Sequence, residues 1–391
     1  MVEFGAGEDA RAPRAEGRSA AFQAASRAQR ARSSNALSRV GADEDVRAPR
    51  TEDVRAPRLG GRSAAFQAAS CAQRGSAISD VKAIIEPFGL TRFRCVTFAE
   101  LEQHTNSLAA LLLRRGLKQG DAVLILHPMS IELYEFLIAL FKIGAVALFI
   151  DPTFGSKYIK RAFELCRPVG SFTGGKAALL TVVEPELRAI PLRFSPALLS
   201  LSRLLGDLSD DTAFNTVDLS PDAPALITFT SGSTGKPKAI VRSHGFLQHQ
   251  LDVLKDTLQL HPGQVDLTSL PIFLLGNIAS GVTSVIPDTN QRRPSQVNGS
   301  RIMRQIERHN VTRICAPPAL LKRLCQAASR ADRKVLSLRQ IYTGGGPVFP
   351  DLLLDLQQIA PASSIHILYG STEAEPIASI SFSDIHAADM L

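Results

Sequence analysis

Thr228-Phe-Thr-Ser-Gly-Ser-Thr-Gly-Lys-Pro-Lys238, preceded by the apolar run Ala225-Leu226-Ile227, decides how this chain is read. The apolar run predicts a buried strand. From Thr230 to Lys238 the chain then packs two glycines, four hydroxyl side chains and two lysines into one turn. Glycines allow close backbone approach to a ligand, and successive exposed N–H groups form an anion-binding concavity. Hydroxyl and ammonium donors suit phosphate oxygens. The expectation is a loop that grips a polyphosphate through Thr230, Ser231, Gly232, Ser233, Thr234, Gly235 and Lys238; the competing reading is an ordinary Ser/Gly-rich surface turn. Two familiar phosphate loops do not fit. Counting from Gly232, Pro237 stands where a P-loop needs its second glycine, and Thr234 interrupts the Gly-x-Gly spacing of a dinucleotide fingerprint.

Two further strings follow apolar runs in the same way. Tyr369-Gly-Ser-Thr-Glu-Ala-Glu-Pro376 comes after Ile365-His-Ile-Leu368, and Gly344-Gly-Gly-Pro347 after Ile341-Tyr342. A cation bridging phosphates takes carboxylate oxygens, and an aromatic face suits a purine.

Together, and in this order, the three strings resemble those of the adenylate-forming superfamily, which contains acyl-CoA synthetases, luciferases and peptide-synthetase adenylation domains. The resemblance runs from about Val96 to Pro376. It implies that Lys238 and the loop hold phosphates, that Gly345, Gly346 and Pro347 wall the adenine pocket, and that Tyr369 and Gly370 line it. It also implies that Thr372 holds the α-phosphate and Glu373 ligates magnesium, so Lys238, Thr372 and Glu373 become the catalytic candidates. Ala239 departs from the glycine usual after the lysine. Val96-Thr-Phe-Ala-Glu-Leu101 and Lys142-Ile-Gly-Ala145 with Asp151-Pro152 also resemble early motifs of the superfamily. Between phosphate loop and adenine wall, Val265–Gly276 keeps an aromatic at Phe273 but has Leu274 where many acyl-CoA synthetases have histidine, so the pocket there is more apolar. A plain core strand is the other reading of that segment. With Ile150–Gly155, Ser284–Asp288 and Arg293-Pro294, it looks most like the branch of fatty-acid ligases and olefin-pathway β-lactone synthetases. His244 stands where the family often has histidine, with a structural role expected. Gly-x-Ser-x-Gly is absent, which disfavours a serine hydrolase.

The rest of the chain bounds the answer. Its 391 residues allow one large domain or two ordinary ones, and a hydrophobic content of 45% supplies a core. Thr97 with Glu100 predicts a capping box opening a helix with Leu101, Leu108, Leu111 and Leu112 on its apolar face, closed at Gly116. Ala122–Leu126 and Ala145–Ile150 read as strands around a helix over Ile131–Ile143 that Gly144 ends. Later strands are expected over Val311–Ala316, Leu338–Tyr342 and Ser364–Tyr369, with helices over Ser300–His309, Pro318–Ala328 and Pro350–Ile359. This βαβ rhythm implies mostly parallel sheets flanked by helices, with ligands outside the carboxyl ends of the strands.

Residues 1–78 differ in character. Arg11–Arg30 recurs at Arg55–Arg74, and this region holds 13 arginines, no lysine and nine acids. Its composition predicts disordered low-complexity sequence, with the adenylating domain over residues 79–391. The nine acids argue against a transit peptide, though organellar targeting and a basic interaction arm stay open. The remaining chain has 31 basic and 28 acidic residues, so the net charge of +7 does not call for nucleic acid. Cysteines 71, 95, 166, 315 and 325 are scattered and read as reduced thiols of a cytoplasmic protein. The most apolar run, Leu137–Ile150, is too short to span a bilayer and contains Lys142.

By resemblance the expected reaction is ATP- and magnesium-dependent activation of a carboxylic acid, a fatty or β-hydroxy fatty acid, to an acyl-adenylate. β-Lactone formation, transfer to CoA and a non-catalytic nucleotide-binding remnant all stay open as outcomes. The family's ribose-binding Asp, hinge and mobile carboxy-terminal lid have no counterpart before Leu391, so slow turnover is expected.

Overall fold

The computed structural model describes residues 79–89, 92–150, 156–179, 183–204, 214–230, 238–289, 296–371 and 373–385. The expectations for residues 1–78 fall outside them. The first strands, β1 (Lys82–Phe88) and β2 (Arg92–Thr97), form an antiparallel pair. Thr97 then caps helix α1 (Phe98–Arg114) with the expected box: its side chain accepts from the Glu100 N–H while the Glu100 carboxylate accepts from the Thr97 N–H. Leu101, Leu108, Leu111 and Leu112 are buried as predicted.

Strand β3 (Ala122–Leu126) leads into helix α2 (Ile131–Ile143), which Ser130 caps at one end and left-handed Gly144 at the other. Every residue of α2 is buried, so it is an internal helix rather than an amphipathic cover. Its charged side chains are therefore paired. Lys142 Nζ donates to Glu102 at 2.8 Å, His104 Nδ1 meets Glu135 at 2.6 Å, and Arg94 Nη2 donates to Glu132 at 2.7 Å. Burial pushes the Lys142 ammonium below its usual range, against the pull of Glu102.

The chain continues through β4 (Val146–Phe149), α3 (Ser156–Cys166), β5 (Gly170–Thr173), α4 (Pro185–Arg188), β6 (Leu192–Phe194) and α5 (Pro196–Leu204). Strands β7 (Pro224–Thr230) and β8 (Lys238–Ser243) pair antiparallel, and Ser243 caps helix α6 (His244–Leu258). Next come β9 (Val265–Thr268), α7 (Pro271–Ala279), β10 (Thr283–Val285), α8 (Gly299–Arg308), β11 (Arg313–Ala316), α9 (Pro318–Arg330), β12 (Gln340–Gly344), α10 (Pro350–Ile359), β13 (Ser364–Ser371) and β14 (Ala374–Ser381).

Two sheets result, in the orders β14-β13-β12-β11-β9-β10-β1-β2 and β6-β5-β3-β4-β7-β8. Both are parallel inside; only the edge strands β2, β14 and β8 run antiparallel. The expected mostly parallel α/β architecture is thus what forms. Boundaries moved where a turn consumed the strand's first residues: the Val311 N–H donates to Ile306 and still closes α8, so β11 starts at Arg313. The segment Val265–Gly276 is not one core strand. It divides into β9 and α7, because Pro271 at the helix start cannot continue a ladder. Among the described residues no helix is long and apolar enough to cross a membrane.

Candidate active site

The polyphosphate candidate is a hairpin. β7 enters it with buried Ala225 and Leu226, and β8 leaves it with Lys238 paired in register to Thr230. Ser231, Gly232, Ser233, Thr234 and Gly235 lie outside the described residues, as does Thr372. Lys238 is exposed at the first position of β8.

The other two motifs meet in the larger sheet. β12 and β13 are parallel, with Gly344 opposite Leu368, so Gly345-Gly346-Pro347 and Tyr369-Gly370 emerge side by side at carboxyl ends. Gly345 has φ +73°, and all three residues of the wall are exposed. Tyr369 is 67% exposed, an open aromatic face beside that glycine turn. The tyrosine motif does not simply follow its strand. Tyr369 still pairs with Ala378 of β14, which puts Glu373 at the tip of a β-hairpin.

Glu373 is exposed there, and among the described residues no three His, Cys, Asp or Glu side chains converge on a metal position. A single accessible carboxylate fits magnesium, which is commonly held by one or two carboxylates together with substrate phosphates and water.

Helix α6 links the two sheets. Gln250 Nε2 donates to the main-chain oxygen of Glu375 at 2.9 Å, and the Tyr342 hydroxyl of β12 donates to Leu258 O at 3.1 Å. At the start of α6, His244 is 2% exposed and edge-on to Phe141 at 5.9 Å. Burial lowers its pKa to about 4, so it is neutral at pH 7.

Three residues here had no role in the sequence reading. Arg242, buried on β8, lies within electrostatic reach of Glu375 and Glu373 and over the Phe246 ring at 6.0 Å. Burial lowers its pKa against the pull of both carboxylates. Glu375, two residues past Glu373, is raised by burial and opposed by Arg242. Gln250 is buried at 6% exposure among leucines. A usable signal existed for two of them: Arg242 shares a strand face with Lys238 four residues away, and Gln250 interrupts the apolar face formed by Leu247, Leu251, Leu254 and Leu258.

Two cavities adjoin these residues. A cleft of about 890 Å³ opens at the carboxyl ends of β3, β4 and β7, lined by Leu126, Phe149, Thr228 and Arg242 and, from the other sheet, Ile286. A smaller cavity of about 50 Å³ lies among α2, α6 and α7, lined by Ile138, Phe141, Leu251, Leu254, Gly276 and Ala279 with Gln250 in its wall. Ile272 and Leu275 of α7 line both. Phe273 and Leu274 point elsewhere: both are buried, and Phe273 packs with Leu254, Leu258, Cys315, Tyr342 and Leu368.

Residues 74–390 match the family described as AMP-binding enzyme. The chain is 29% identical over 300 residues to an olefin beta-lactone synthetase of Xanthomonas campestris, covering 73% of this chain and 52% of that protein. A Stenotrophomonas maltophilia protein of the same description is 29% identical over 295 residues, with 72% and 51% covered. The chain spans about half the length of these curated relatives. In fold it is similar to a long-chain-fatty-acid-CoA ligase (FadD1) of Archaeoglobus fulgidus, with a TM-score of 0.69 at 22% identity over 81% of this chain and 66% of the other.

Proposed function

The chain belongs to the AMP-binding enzyme family, and on that premise we propose that it activates a fatty or β-hydroxy fatty acid with ATP to an acyl-adenylate. The observation that carries this is the side-by-side emergence of Gly345–Pro347 and Tyr369-Gly370, tied through α6 to the Lys238 hairpin.

In the proposed step a carboxylate oxygen attacks the α-phosphorus of ATP, and the bond to pyrophosphate breaks. Tyr369 stacks on adenine against the glycine turn. Lys238 and the loop over residues 230–235 hold phosphates, with Thr372 at the α-phosphate. Glu373 would hold magnesium, which would neutralise charge on the phosphates. No covalent enzyme intermediate is required, and rate comes from positioning and electrostatics. The cleft of about 890 Å³, with Leu126, Phe149 and Ile286 in its walls, supports an alkyl chain as the acid's tail. The two relatives described as olefin beta-lactone synthetases support a β-hydroxy acid, whose hydroxyl oxygen would attack the acyl carbon, release AMP and close a β-lactone. Transfer of the acyl group to CoA is the alternative fate of the same adenylate. The test is ATP–pyrophosphate exchange with a panel of acids, followed by product analysis with and without CoA. Exchange with fatty acids is expected; a folded sample showing none with any acid would overturn the reading.

A further inference from the structure

Charge is unevenly spread over this chain. Residues 299–339 contain ten Lys or Arg and two acids, whereas the rest of residues 79–391 contains 21 and 26. The excess belongs to α8, α9 and the loop that leads from α9 into β12. Ile302, Ile306, Leu320 and Leu324 of the two helices are buried in one core with Ile314 and Ile341 of the larger sheet. Arg304, Arg308, Lys322, Arg323, Arg330 and Lys334 are exposed.

The two helices present these side chains as one surface. A Cβ on Gly299 would sit 2.0 Å from the Arg323 main-chain oxygen, so the start of α8 lies directly against α9. At the far end Arg333 donates to Glu307 at 2.9 Å, which takes up one of the two acids and leaves Asp332 as the other. Arg301 is neutralised by Asp288 at 3.2 Å. Arg304, Lys322, Arg330 and Lys334 have no ion-pair partner among the described residues. The basic face ends at α10, which carries Asp351 and Asp355.

Uncompensated cations at neighbouring positions raise the local potential and favour an anionic partner. An acidic protein or a lipid surface supplies one, and the apolar content of the face separates the two. Protein interfaces draw their affinity from buried aromatic and aliphatic anchors. Among the described residues of α8, α9 and the loop to β12, Leu336 is the one large apolar side chain that is well exposed, at 63%. It lies between Lys334 and Arg339 in the chain. Long basic side chains around one exposed leucine suit a bilayer. Headgroup phosphates and carboxylates take the cations, and the leucine enters the boundary between headgroups and acyl chains. We propose that the α8–α9 face docks the protein on membranes containing anionic lipids, by peripheral contact. Charge and exposure carry this independently of the acid assigned to the active site.

The experiment sediments the full chain with vesicles of phosphatidylcholine, with and without phosphatidylserine. Phosphatidylserine is expected to strengthen binding by about tenfold or more, and raising salt from about 0.1 M to about 0.5 M should remove most of that gain. The protein carrying Arg304→Gln, Lys322→Gln, Arg330→Gln and Lys334→Gln together should bind about tenfold or more weakly, at an unchanged melting temperature because all four positions are exposed. The chain has no tryptophan, so Leu336→Trp is a unique reporter. Its emission should move to shorter wavelength on vesicles with phosphatidylserine and stay in place on phosphatidylcholine alone.

Equal binding of the parent to both vesicles, or none to either, overturns the inference without any variant. Full retention of binding in the fourfold variant also overturns it, because the arginines of residues 1–78 would then be the contact. So does an unshifted emission from a protein that sediments with the vesicles. Capture of the parent by polyglutamate but not by phosphatidylserine vesicles would replace the membrane with an acidic protein partner.

Discussion

Gly344 lies so close to Leu368 that a Cβ on it would sit 2.2 Å from the Leu368 carbonyl oxygen. The two residues are register partners at the carboxyl ends of β12 and β13, the point from which both candidate nucleotide motifs emerge.

The obstructing atom is backbone, so Gly344→Ala must spread the two strands. We expect it to lower stability by about 1–3 kcal/mol, the usual range for overpacking, and to weaken nucleotide binding beyond that. Gly345→Ala, where a Cβ meets nothing within 4 Å, is strained only by its φ of +73° and should cost about 1 kcal/mol. Urea unfolding and ATP calorimetry on the pair check this; equal effects at the two positions would refute it.

Glu373→Gln should cut pyrophosphate exchange on the order of a hundredfold, because a neutral amide is a poor magnesium ligand. Its exposed position at a hairpin tip means the melting temperature should stay the same. Unchanged exchange in the variant would remove Glu373 as the metal carboxylate.

Lys142 is 1% exposed in its side chain and Glu102 26%. Removing the carboxylate leaves the buried ammonium without a counter-charge, with Asn106 Oδ1 still accepting from it, and Glu102→Gln should cost about 3 kcal/mol. Lys142→Met removes the charge itself and should be near neutral. Denaturant midpoints that fall equally for both variants would contradict this account.

His244 gives a pH dependence of definite sign. Its folded pKa of about 4 lies below the ordinary imidazole value, so between the two the unfolded chain binds the extra proton. Its contribution is full above about pH 6.5, declines as pH falls, and reaches about 3 kcal/mol of lost stability near pH 4. His244→Phe should flatten the unfolding midpoint across that window. A parent midpoint that does not move between pH 7 and 5 would oppose a buried neutral imidazole.

Residues 1–78 carry no periodic apolar face able to dock on a folded body. Deleting them should leave the melting temperature and magnesium-ATP binding unchanged. A clear loss of thermal stability in the shortened protein would show otherwise.

Much of the fold was legible because local chemistry and tertiary need coincide. Thr97 with Glu100, and Gly144, each close a helix end by contacts within a few residues, and β3, α2 and α10 begin and end where their patterns do. The motif strings were legible for the same reason. Gln250 showed in the sequence only as a break in an apolar face, because its partner Glu375 is 125 residues away. The distribution of Arg242 and Glu373 over two sheets was not legible, since periodicity reports a strand's faces and not its neighbours. The full burial of α2 depends on Glu132, Glu135 and Lys142 meeting partners on β2 and α1, which are distant in sequence.

Helix α6 leaves β8 with no intervening loop, and its far end is held by Tyr342 of the other sheet. If the proposed acid and nucleotide both bind against this helix, their affinities are linked by one thermodynamic cycle. Whatever factor a bound acid adds to nucleotide affinity, bound nucleotide must add to acid affinity, because the cycle closes. Order of arrival then changes only the traffic through the two binary complexes, and the ternary state they share is the same.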